Sequence, residues 1–340
     1  MQLPALLVAL LAGVGGACSD FLLNSTTNVI SARSVDFIMD LQTSIETVPI
    51  GTRFVEAGGF QWRNSIGFVS FNVHTLPFAA DGLNTKGLSA AWLFMEETVY
   101  PEVDENDLRP AIGNLCSYIL GNFASVDDVV AGFDTIQPVA LDLMHIPLAQ
   151  RAGLGPLRRL PMHIAVHDAF GASLVVEFLD GKTHLFRNAL GVLTNAPSFP
   201  EHLTALSTRS GGTSYSSTNR FARLVTLNAQ ANTDIFGVET SLTSPDNVQN
   251  GVARALHLLS TVVQPVVSPE FATEWVVVRD HARRCMFVQA TETNLLRRID
   301  LGKLSFAPGA PPTSWRLGPG IWFLDMEDGG NDPIVSFDTT

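Results

Sequence analysis

The chain has 340 residues, of which 46% are hydrophobic and 16% charged, and its formal net charge at pH 7 is −12. The apolar content is enough for one large or two modest globular domains. The negative charge argues against nucleic acids and anionic membrane surfaces as partners.

The first 17 residues form an apolar segment that ends in small residues. The run Leu3–Val14 is too short to span a bilayer, and Gly15 and Ala17 suit a signal-peptide cleavage site. No Lys or Arg follows Met1, so self-removal of this segment stays an alternative. We expect residues 1–17 to be a signal peptide or leader that is removed, and the protein to be secreted or periplasmic.

Cleavage after Ala17 would make Cys18 the first residue, with a thiol and a free α-amine on the same residue. A thiolate is a good nucleophile, and an α-amine that titrates near pH ~8 can take the thiol proton near neutral pH. One cut would therefore assemble a nucleophile and its base, which is typical of an N-terminal nucleophile hydrolase.

Two other interpretations of Cys18 are open from its position alone. Most cysteines are structural, either buried or in a disulfide. Cys18 could also carry the acyl chains of a bacterial lipoprotein, which would make the chain a lipid-anchored, non-catalytic binding protein. Gly15 stands where lipoprotein signals usually have Leu, which disfavours this interpretation.

The first half of the chain alternates short β-type runs with two helices. The predicted strands are Phe21–Leu23, Val29–Arg33, Phe68–Val73 and Gly87–Phe94. The first two flank the polar segment Asn24–Asn28 and indicate a hairpin. Helices are predicted over Asp107–Asn122 and from the N-cap Ser125, with Asp128 at its third position, to Phe133. The acidic stretch Glu102–Asp107 is expected to be a solvated loop.

The second half predicts two strand pairs around two helices. The predicted strands are Met162–Val166, Ser173–Phe178, Trp275–Val278 and Met286–Ala290, and the predicted helices are Thr218–Asn228 and one that begins at Ser244-Pro245. The last helix has the apolar stripe Val248, Val252, Leu256, Leu259 and Val263. Strands, then helices, then strands predict an α+β domain over residues 18–306, with sheets between helices. Residues 307–340 are expected to form an irregular tail.

Several motifs in order carry a family resemblance. They are Cys18, Ala32–Phe37, Asp81–Leu88, Gly191–Pro197, Ser217–Phe221, Thr273–Trp275 and Leu296–Leu301. Together they resemble the choloylglycine hydrolase family, which includes bile salt hydrolases and penicillin V acylases. The resemblance implies a four-layer αββα sandwich and hydrolysis of a linear, non-peptide amide. The sequence has no Gly-rich phosphate loop and no dinucleotide-binding motif, so no cofactor is expected.

The resemblance also implies roles for individual residues. Cys18 would be the nucleophile, Arg33 would lie beside its sulfur, and Asp36 would accept a hydrogen bond from its α-amine. Side chains three apart point to opposite faces of a regular strand, so both can serve Cys18 only if the strand bulges or ends between them.

Three further residues follow from the same motifs. The side chain of Asn195 and the backbone N–H of Phe94 would bind the oxyanion, and Arg220 would make ionic contacts around Cys18 and Asp36. Without the resemblance, Asn195 would be a loop residue and Arg220 or its neighbour Arg223 an exposed helical charge.

The sequence constrains the preferred substrate less than it constrains the catalytic residues. Phe94 stands where bile salt hydrolases have Asn, and the 25-residue step from Asn195 to Arg220 is short, as in the exported Gram-negative-type penicillin V acylases. Some of those cleave N-acyl homoserine lactones. Trp62, Phe68 and Trp92 are candidates for an acyl pocket, although core packing is expected for at least two of the aromatic candidates. A bile salt or N-acylethanolamine substrate is the alternative, and a homo-oligomer stays open.

The other histidines and cysteines give little indication of a metal site or of disulfides. His163 and His167 are four apart, but they fall in a predicted strand and turn, so zinc is not expected there. Three cysteines are too few for a disulfide framework. Cys116 and Cys285 are either two inert core thiols or a pair formed after export.

Overall fold

Strands dominate the structure of this chain. The computed structural model describes residues 17–24, 29–37, 40–73, 76–142, 159–207, 212–232, 247–264, 272–291, 293 and 295–317. The strands are β1 (Ser19–Asn24), β2 (Val29–Phe37), β3 (Ser44–Val48), β4 (Arg53–Val55), β5 (Gln61–Arg63), β6 (Phe68–Asn72), β7 (Asp81–Asn84), β8 (Ser89–Phe94), β9 (Ala111–Ile112), β10 (Gln137–Pro138), β11 (Met162–His167), β12 (Ser173–Leu179), β13 (Lys182–Arg187), β14 (Val192–Leu193), β15 (Ala272–Asp280), β16 (Cys285–Ala290), β17 (Arg297–Asp300) and β18 (Ser314–Arg316). The helices are α1 (Leu115–Asn122), α2 (Val126–Phe133), α3 (Phe199–Leu206), α4 (Ser217–Asn232) and α5 (Asn247–Leu259). None of the described helices is long and apolar enough to cross a membrane.

Two large sheets form the centre of the fold. One has six strands in the order β14-β1-β2-β15-β16-β17, and the other has eight in the order β13-β12-β11-β8-β7-β6-β3-β18. Helices α4 and α5 contact the six-stranded sheet at β1 and β2, whereas α1 contacts β7 and β8 of the eight-stranded sheet. The layers are therefore helix, sheet, sheet and helix, and the predicted α+β sandwich is confirmed.

Strand β8 shows how the layers are held together. Its side chains alternate between the two faces of the eight-stranded sheet. Ala91 and Leu93 join the inner cluster, which lies between the sheets and continues under α4 and α5. Ala90 and Trp92 join the outer cluster, which lies under α1 and α2. The same strand thus forms the wall between two separate apolar regions.

The predicted strand pairs are confirmed. The first hairpin pairs Leu23 with Ile30, although its turn, residues 25–28, lies outside the described residues. Strands β11 and β12 pair around the turn at Asp168, and β15 pairs with β16 so that Trp275 faces Ala290.

One predicted helix begins in the wrong place. The prediction started at Asp107, but α1 begins at Leu115. The preceding residues form a turn, in which the Asp107 carboxylate accepts hydrogen bonds from Arg109, and then the short strand β9. Pro110 has no N–H to donate and disfavours a helical residue before it, so a helix cannot run through this segment.

The other predicted helices are present. The Ser125 hydroxyl accepts a hydrogen bond from the Asp128 N–H at 3.1 Å, as the predicted cap requires. Helix α4 extends four residues past the predicted end. In α5, Val252 and Leu259 of the predicted stripe are buried, whereas Ser244-Pro245 lies outside the described residues.

Several elements were missed by the sequence reasoning. Helix α3 follows Ser198, whose backbone N–H donates to Glu201 at 3.1 Å, so the capping-box pattern was present and overlooked. Part of the predicted irregular tail, Ser314–Arg316, forms β18 and pairs with β3. Residues 318–340 lie outside the described part of the chain.

Candidate active site

Cys18 lies directly before β1, in the inner cluster between the sheets, and is almost fully buried. Its backbone nitrogen is a peptide nitrogen here, because Ala17 is still attached. The Cys18 Sγ lies 3.8 Å from Nη2 of Arg33. A fixed cation at this distance stabilises a thiolate relative to a thiol.

Arg33 is held by three groups besides the sulfur. Its Nη1 donates to Asp81 Oδ2 at 2.9 Å and to the Ala80 carbonyl at 3.0 Å, and its Nη2 donates to the Trp92 carbonyl. Burial by itself lowers the pKa of Arg33, but the charges of Cys18 and Asp81 outweigh it and raise that pKa. Arg33 is therefore a permanent cation at the sulfur.

Arg220, in the first turn of α4, reaches the backbone of Cys18. Its Nη1 donates to the Cys18 carbonyl and to the Ser19 hydroxyl, both at 2.6 Å, and its Nη2 donates to Asn195 Oδ1 at 2.8 Å. Burial lowers its pKa to about 10, against the raising influence of Asp36 and Cys18. At neutral pH Arg220 is thus charged and fixes the backbone that carries the thiol.

The contact with Arg220 sets the orientation of the Asn195 amide. A guanidinium can only donate hydrogen bonds, so the amide oxygen faces Arg220 and the amide nitrogen faces away. That nitrogen, Nδ2, donates one hydrogen to the Phe94 carbonyl at 2.8 Å. Its second hydrogen is available for another acceptor. The structure therefore brings Asn195 and the Phe94 backbone together, as the sequence predicts.

A buried histidine that the sequence reasoning missed supports Asn195 from behind. His202 Nε2 lies 2.8 Å from the Asn195 carbonyl, which can only accept, so Nε2 carries the proton. Burial lowers the pKa of His202 to about 4, although the bond to Asn195 works in the opposite direction. The ring is neutral at pH 7. The sequence pattern that could have pointed to His202 is the helix cap at Ser198, four residues before it in the chain.

Asp36 lies on β2 and is fully buried. Its Oδ1 accepts a hydrogen bond from the Thr273 hydroxyl, but its Oδ2 has no hydrogen-bond partner among the described residues. Burial raises the pKa of Asp36 to about 7, although Arg220, Thr273 and Arg33 all lower it. Asp36 therefore belongs to the same electrostatic cluster and has an unused acceptor.

The predicted bulge or end of the strand between Arg33 and Asp36 is absent, because β2 itself runs on to Phe37, and the irregularity lies on its partner strand instead. Strand β2 continues to Phe37, and its pairing with β15 is regular up to Val35, which faces Trp275. The pairing then skips Glu274, so that Thr273 faces Asp36. One extra residue on β15 thus changes the register between Arg33 and Asp36.

The three aromatic candidates for an acyl pocket pack elsewhere. Trp62, Phe68 and Trp92 all belong to the outer cluster under α1, on the face of the sheet opposite Cys18. Trp62 stacks on Phe54 with 4.2 Å between ring centroids and donates to Glu56 Oε1 at 2.7 Å. The alternation along β8 directs Trp92 outward, so these rings have the core-packing role that was expected of at least two.

A cavity of about 1160 Å³ also lies on the outer face of the eight-stranded sheet. Phe68 and Ser70 form part of its floor, and Phe78 and Asn114 part of its wall. Cys18 is not among the described residues that line it. The chemistry of the site is therefore indicated by the polar contacts around Cys18 and not by the volume of this cavity.

His163 and His167, the pair considered for zinc, are both bonded to other buried groups, and neither of the other two cysteines is paired. His163 bonds to Glu177 at 3.0 Å and to the Thr194 carbonyl, and His167 bonds to Asp20 at 2.5 Å. Cys116 and Cys285 are both free thiols, so the alternative that they pair is wrong. Burial raises the pKa of Cys116 well above its ordinary value, which makes it a poor nucleophile.

Comparison with known proteins decides the family. The model of the linear amide C–N hydrolases, choloylglycine hydrolase family, matches residues 18–234. The chain belongs to this family. It is accordingly a hydrolase of linear C–N amide bonds, and an N-terminal cysteine nucleophile is general to its family.

Individual relatives agree in sequence and in fold. A penicillin V acylase of Pectobacterium atrosepticum is 28% identical over 92% of this chain and 89% of its own length. A bile salt hydrolase/transferase of Clostridium perfringens is 32% identical, but over 38% of this chain and 37% of its own. The solved penicillin V acylase of Agrobacterium tumefaciens has a TM-score of 0.72 at 23% identity, covering 89% of this chain and 92% of that one. A variant of the conjugated bile acid hydrolase of Clostridium perfringens has a TM-score of 0.73 at 19% identity, covering 91% and 100%. These two structures have the same fold as this chain.

Proposed function

We propose that the chain cleaves a linear amide with an apolar acyl group, of the penicillin V or N-acyl homoserine lactone type, through Cys18. The observation that carries this proposal is the convergence of two buried arginines on that residue, Arg33 at its sulfur and Arg220 at its carbonyl. We propose that the protein is exported and that residues 1–17 are removed in the process. This removal frees the α-amine of Cys18.

The reaction begins when the α-amine takes the thiol proton and the sulfur attacks the acyl carbon. The second hydrogen on Asn195 Nδ2 and the Phe94 N–H bind the oxyanion that forms. The C–N bond then breaks, the α-ammonium returns its proton to the leaving amine, and a thioester remains on Cys18. Water attacks the thioester, releases the acid and restores the thiol.

The unused oxygen of Asp36 supports this use of the α-amine. A buried carboxylate oxygen without a hydrogen bond is costly, and Oδ2 has no partner while Ala17 is attached. We propose that the α-ammonium of a processed Cys18 is the donor and the positive charge that this oxygen lacks. Processing would then create the base and satisfy Asp36 in a single step.

The relatives favour an acylase over a bile salt hydrolase. The penicillin V acylase of Pectobacterium atrosepticum aligns over 92% of this chain, and the bile salt hydrolase/transferase over 38%. Bile salts and N-acylethanolamines are the alternative substrates.

A hydrolysis screen tests the substrate proposal. We expect kcat/KM for penicillin V or a medium-chain N-acyl homoserine lactone to exceed that for glycocholate at least about tenfold, which corresponds to ~1.4 kcal/mol. Faster hydrolysis of glycocholate than of both would overturn it and favour the bile salt alternative.

The mass of the mature protein tests the role of Cys18 independently. A chain that begins with an unmodified Cys18 supports the hydrolase mechanism. A diacylglyceryl group on Cys18 would identify a lipid-anchored protein and exclude a free α-amine. A folded and fully active chain that retains Ala17 would show that another group is the base.

A further inference from the structure

A chain of buried charges extends from Cys18 away from the proposed reaction centre. Asp81, on β7, bonds to Arg33 on one side and to Arg279, on β15, on the other. Arg279 also contacts Asp20 Oδ2 at 3.4 Å, and Asp20 in turn bonds to His167. All five side chains are nearly inaccessible to solvent. They link both sheets through side chains that lie between them.

Arg33 depends on Asp81 for its orientation. The Arg33 Nε is buried without a hydrogen-bond partner among the described residues, so only its two terminal nitrogens are fixed. Two of their partners are the carbonyls of Ala80 and Trp92, which carry no formal charge. Asp81 is the carboxylate that contacts the Arg33 guanidinium. Hydrogen bonds between charged groups are roughly twice as strong as neutral ones, so the bond to Asp81 is the strongest of the three.

Asp81 is itself held rigidly. Arg279 donates from Nε to Oδ1 at 3.0 Å and from Nη2 to Oδ2, which makes a two-bond fork. A third nitrogen of Arg279, Nη1, donates to Ser31 at 3.0 Å. The carboxylate therefore cannot rotate away, and it presents Oδ2 to Arg33 in one place.

We infer that Asp81, supported by Arg279, is a positioning residue that holds the Arg33 guanidinium against the Cys18 sulfur. This inference rests on the proposed function of Cys18. Asp81 acts through Arg33 and does not touch the thiol. Asp81 keeps the Arg33 guanidinium where it stabilises the Cys18 thiolate. The negative charge of Asp81 itself has the opposite effect and disfavours the thiolate.

The two effects of Asp81 have opposite signs, which makes the inference testable. If Arg33 stayed in place, replacing the carboxylate of Asp81 by an amide would leave a more positive field at Cys18 and favour the thiolate. If Arg33 moves, the thiolate loses its cation. The direction of the change in Cys18 reactivity therefore distinguishes positioning from a simple field effect.

The experiment measures alkylation of Cys18 by iodoacetamide between pH 5 and 10, followed by the mass of the peptide that contains Cys18. We expect Asp81→Asn to slow the reaction at pH 7 about tenfold and to move its midpoint to higher pH. In parallel, kcat should fall about tenfold and KM should change less than about threefold. The alkylation needs no substrate, so its result is independent of whether the substrate proposal holds.

Two further variants keep the inference falsifiable. The double variant Asp81→Asn/Arg279→Gln removes one negative and one positive charge, so it preserves the buried charge balance and should show the same slow alkylation. Asp20→Asn is the matched control, because Asp20 is equally buried and its charge also acts on Arg33, but among the described residues its side chain bonds to Arg279 and His167 and not to Arg33. It should lower the melting temperature and change the alkylation rate less than about twofold.

Unchanged or faster alkylation in both Asp81 variants would overturn the inference. Equal slowing in Asp20→Asn would also overturn it, because the effect would then come from loss of any buried carboxylate.

Discussion

The two faces of the eight-stranded sheet differ in what they bury. Beyond the inner face, two arginines and two aspartates are buried in contact with one another behind Cys18, namely Arg33, Arg279, Asp20 and Asp81. On the outer face lie the aromatic cluster and the cavity of about 1160 Å³. Buried charges are tolerated when they are balanced and hydrogen-bonded to one another, whereas apolar rings need only close packing.

Trp92 takes part in both faces of the sheet, through its backbone on one side and its ring on the other. The carbonyl of Trp92 accepts a hydrogen bond from Arg33, while its ring packs in the outer cluster. Substitutions of inner-face residues that contact Cys18 or its predicted oxyanion donors should therefore change the chemistry. Substitutions on the outer face should change the free energy of unfolding and leave turnover by the folded protein intact.

The two buried cysteines give the largest expected contrast. Cys18→Ala should abolish turnover, because the nucleophile is lost, and Cys18→Ser should leave little, because an alkoxide forms far less readily than a thiolate. Cys116→Ala should instead lower the free energy of unfolding by on the order of 1 kcal/mol through a small cavity. Kinetics and urea denaturation check both, and an inactive Cys116→Ala of normal stability would show that the wrong nucleophile has been assigned.

Two buried asparagines sharpen the contrast within the inner face. Asn195→Ala should reduce kcat by roughly 10²–10³, with a smaller effect on KM, because one oxyanion donor is removed. Asn188, equally buried and bonded to the Val192 carbonyl at 3.0 Å, is the matched control. Asn188→Ala should lower the melting temperature and leave kcat near its normal value. A normal kcat with a reduced melting temperature in Asn195→Ala would instead indicate a structural role.

Trp62 tests the outer face directly. Trp62→Phe keeps an aromatic ring but removes the hydrogen bond to the buried Glu56 carboxylate. We expect a loss of about 1–3 kcal/mol in the free energy of unfolding, measured by denaturant titration, with kcat and KM unchanged. A tenfold rise in KM at little cost in stability would restore Trp62 as a substrate contact.

The pH dependence of stability tests Asp36, whose environment differs between the unprocessed and the processed chain. In the chain that retains Ala17, the pKa of Asp36 is raised from 3.8 to about 7, so the folded state binds more protons than the unfolded state between these values. The contribution of Asp36 to stability should therefore decrease as the pH rises from about 4 to about 7, and then level off.

Asp36→Asn isolates this contribution. The difference between the free energies of unfolding of wild type and Asp36→Asn should follow that slope, whereas the contribution of His202 is common to both proteins. Parallel stability curves from pH 4 to 8 would contradict the raised pKa. After processing, the α-ammonium should lower the pKa of Asp36 and weaken the slope.

Local sequence determined much of this protein. The position of Cys18 after small residues, the hairpin of β1 and β2, and the cap at Ser125 follow from neighbouring residues alone. The motifs around Arg33, Asp36, Asn195 and Arg220 identified the family. Where local patterns conflicted, as at Pro110 before α1, the sequence contained the answer and the prediction overlooked it.

Tertiary structure decided which groups meet. Asp81 bonds to Arg33 across 48 residues and to Arg279 across 198, and no local pattern predicts pairs at such separations. It also decided which face of the sheet each aromatic ring occupies, since Trp62 and Trp92 pack under α1 and not beside Cys18. The physical reason is that burial fixes which side chains must be paired, whereas the sheet register fixes the partners that are within reach.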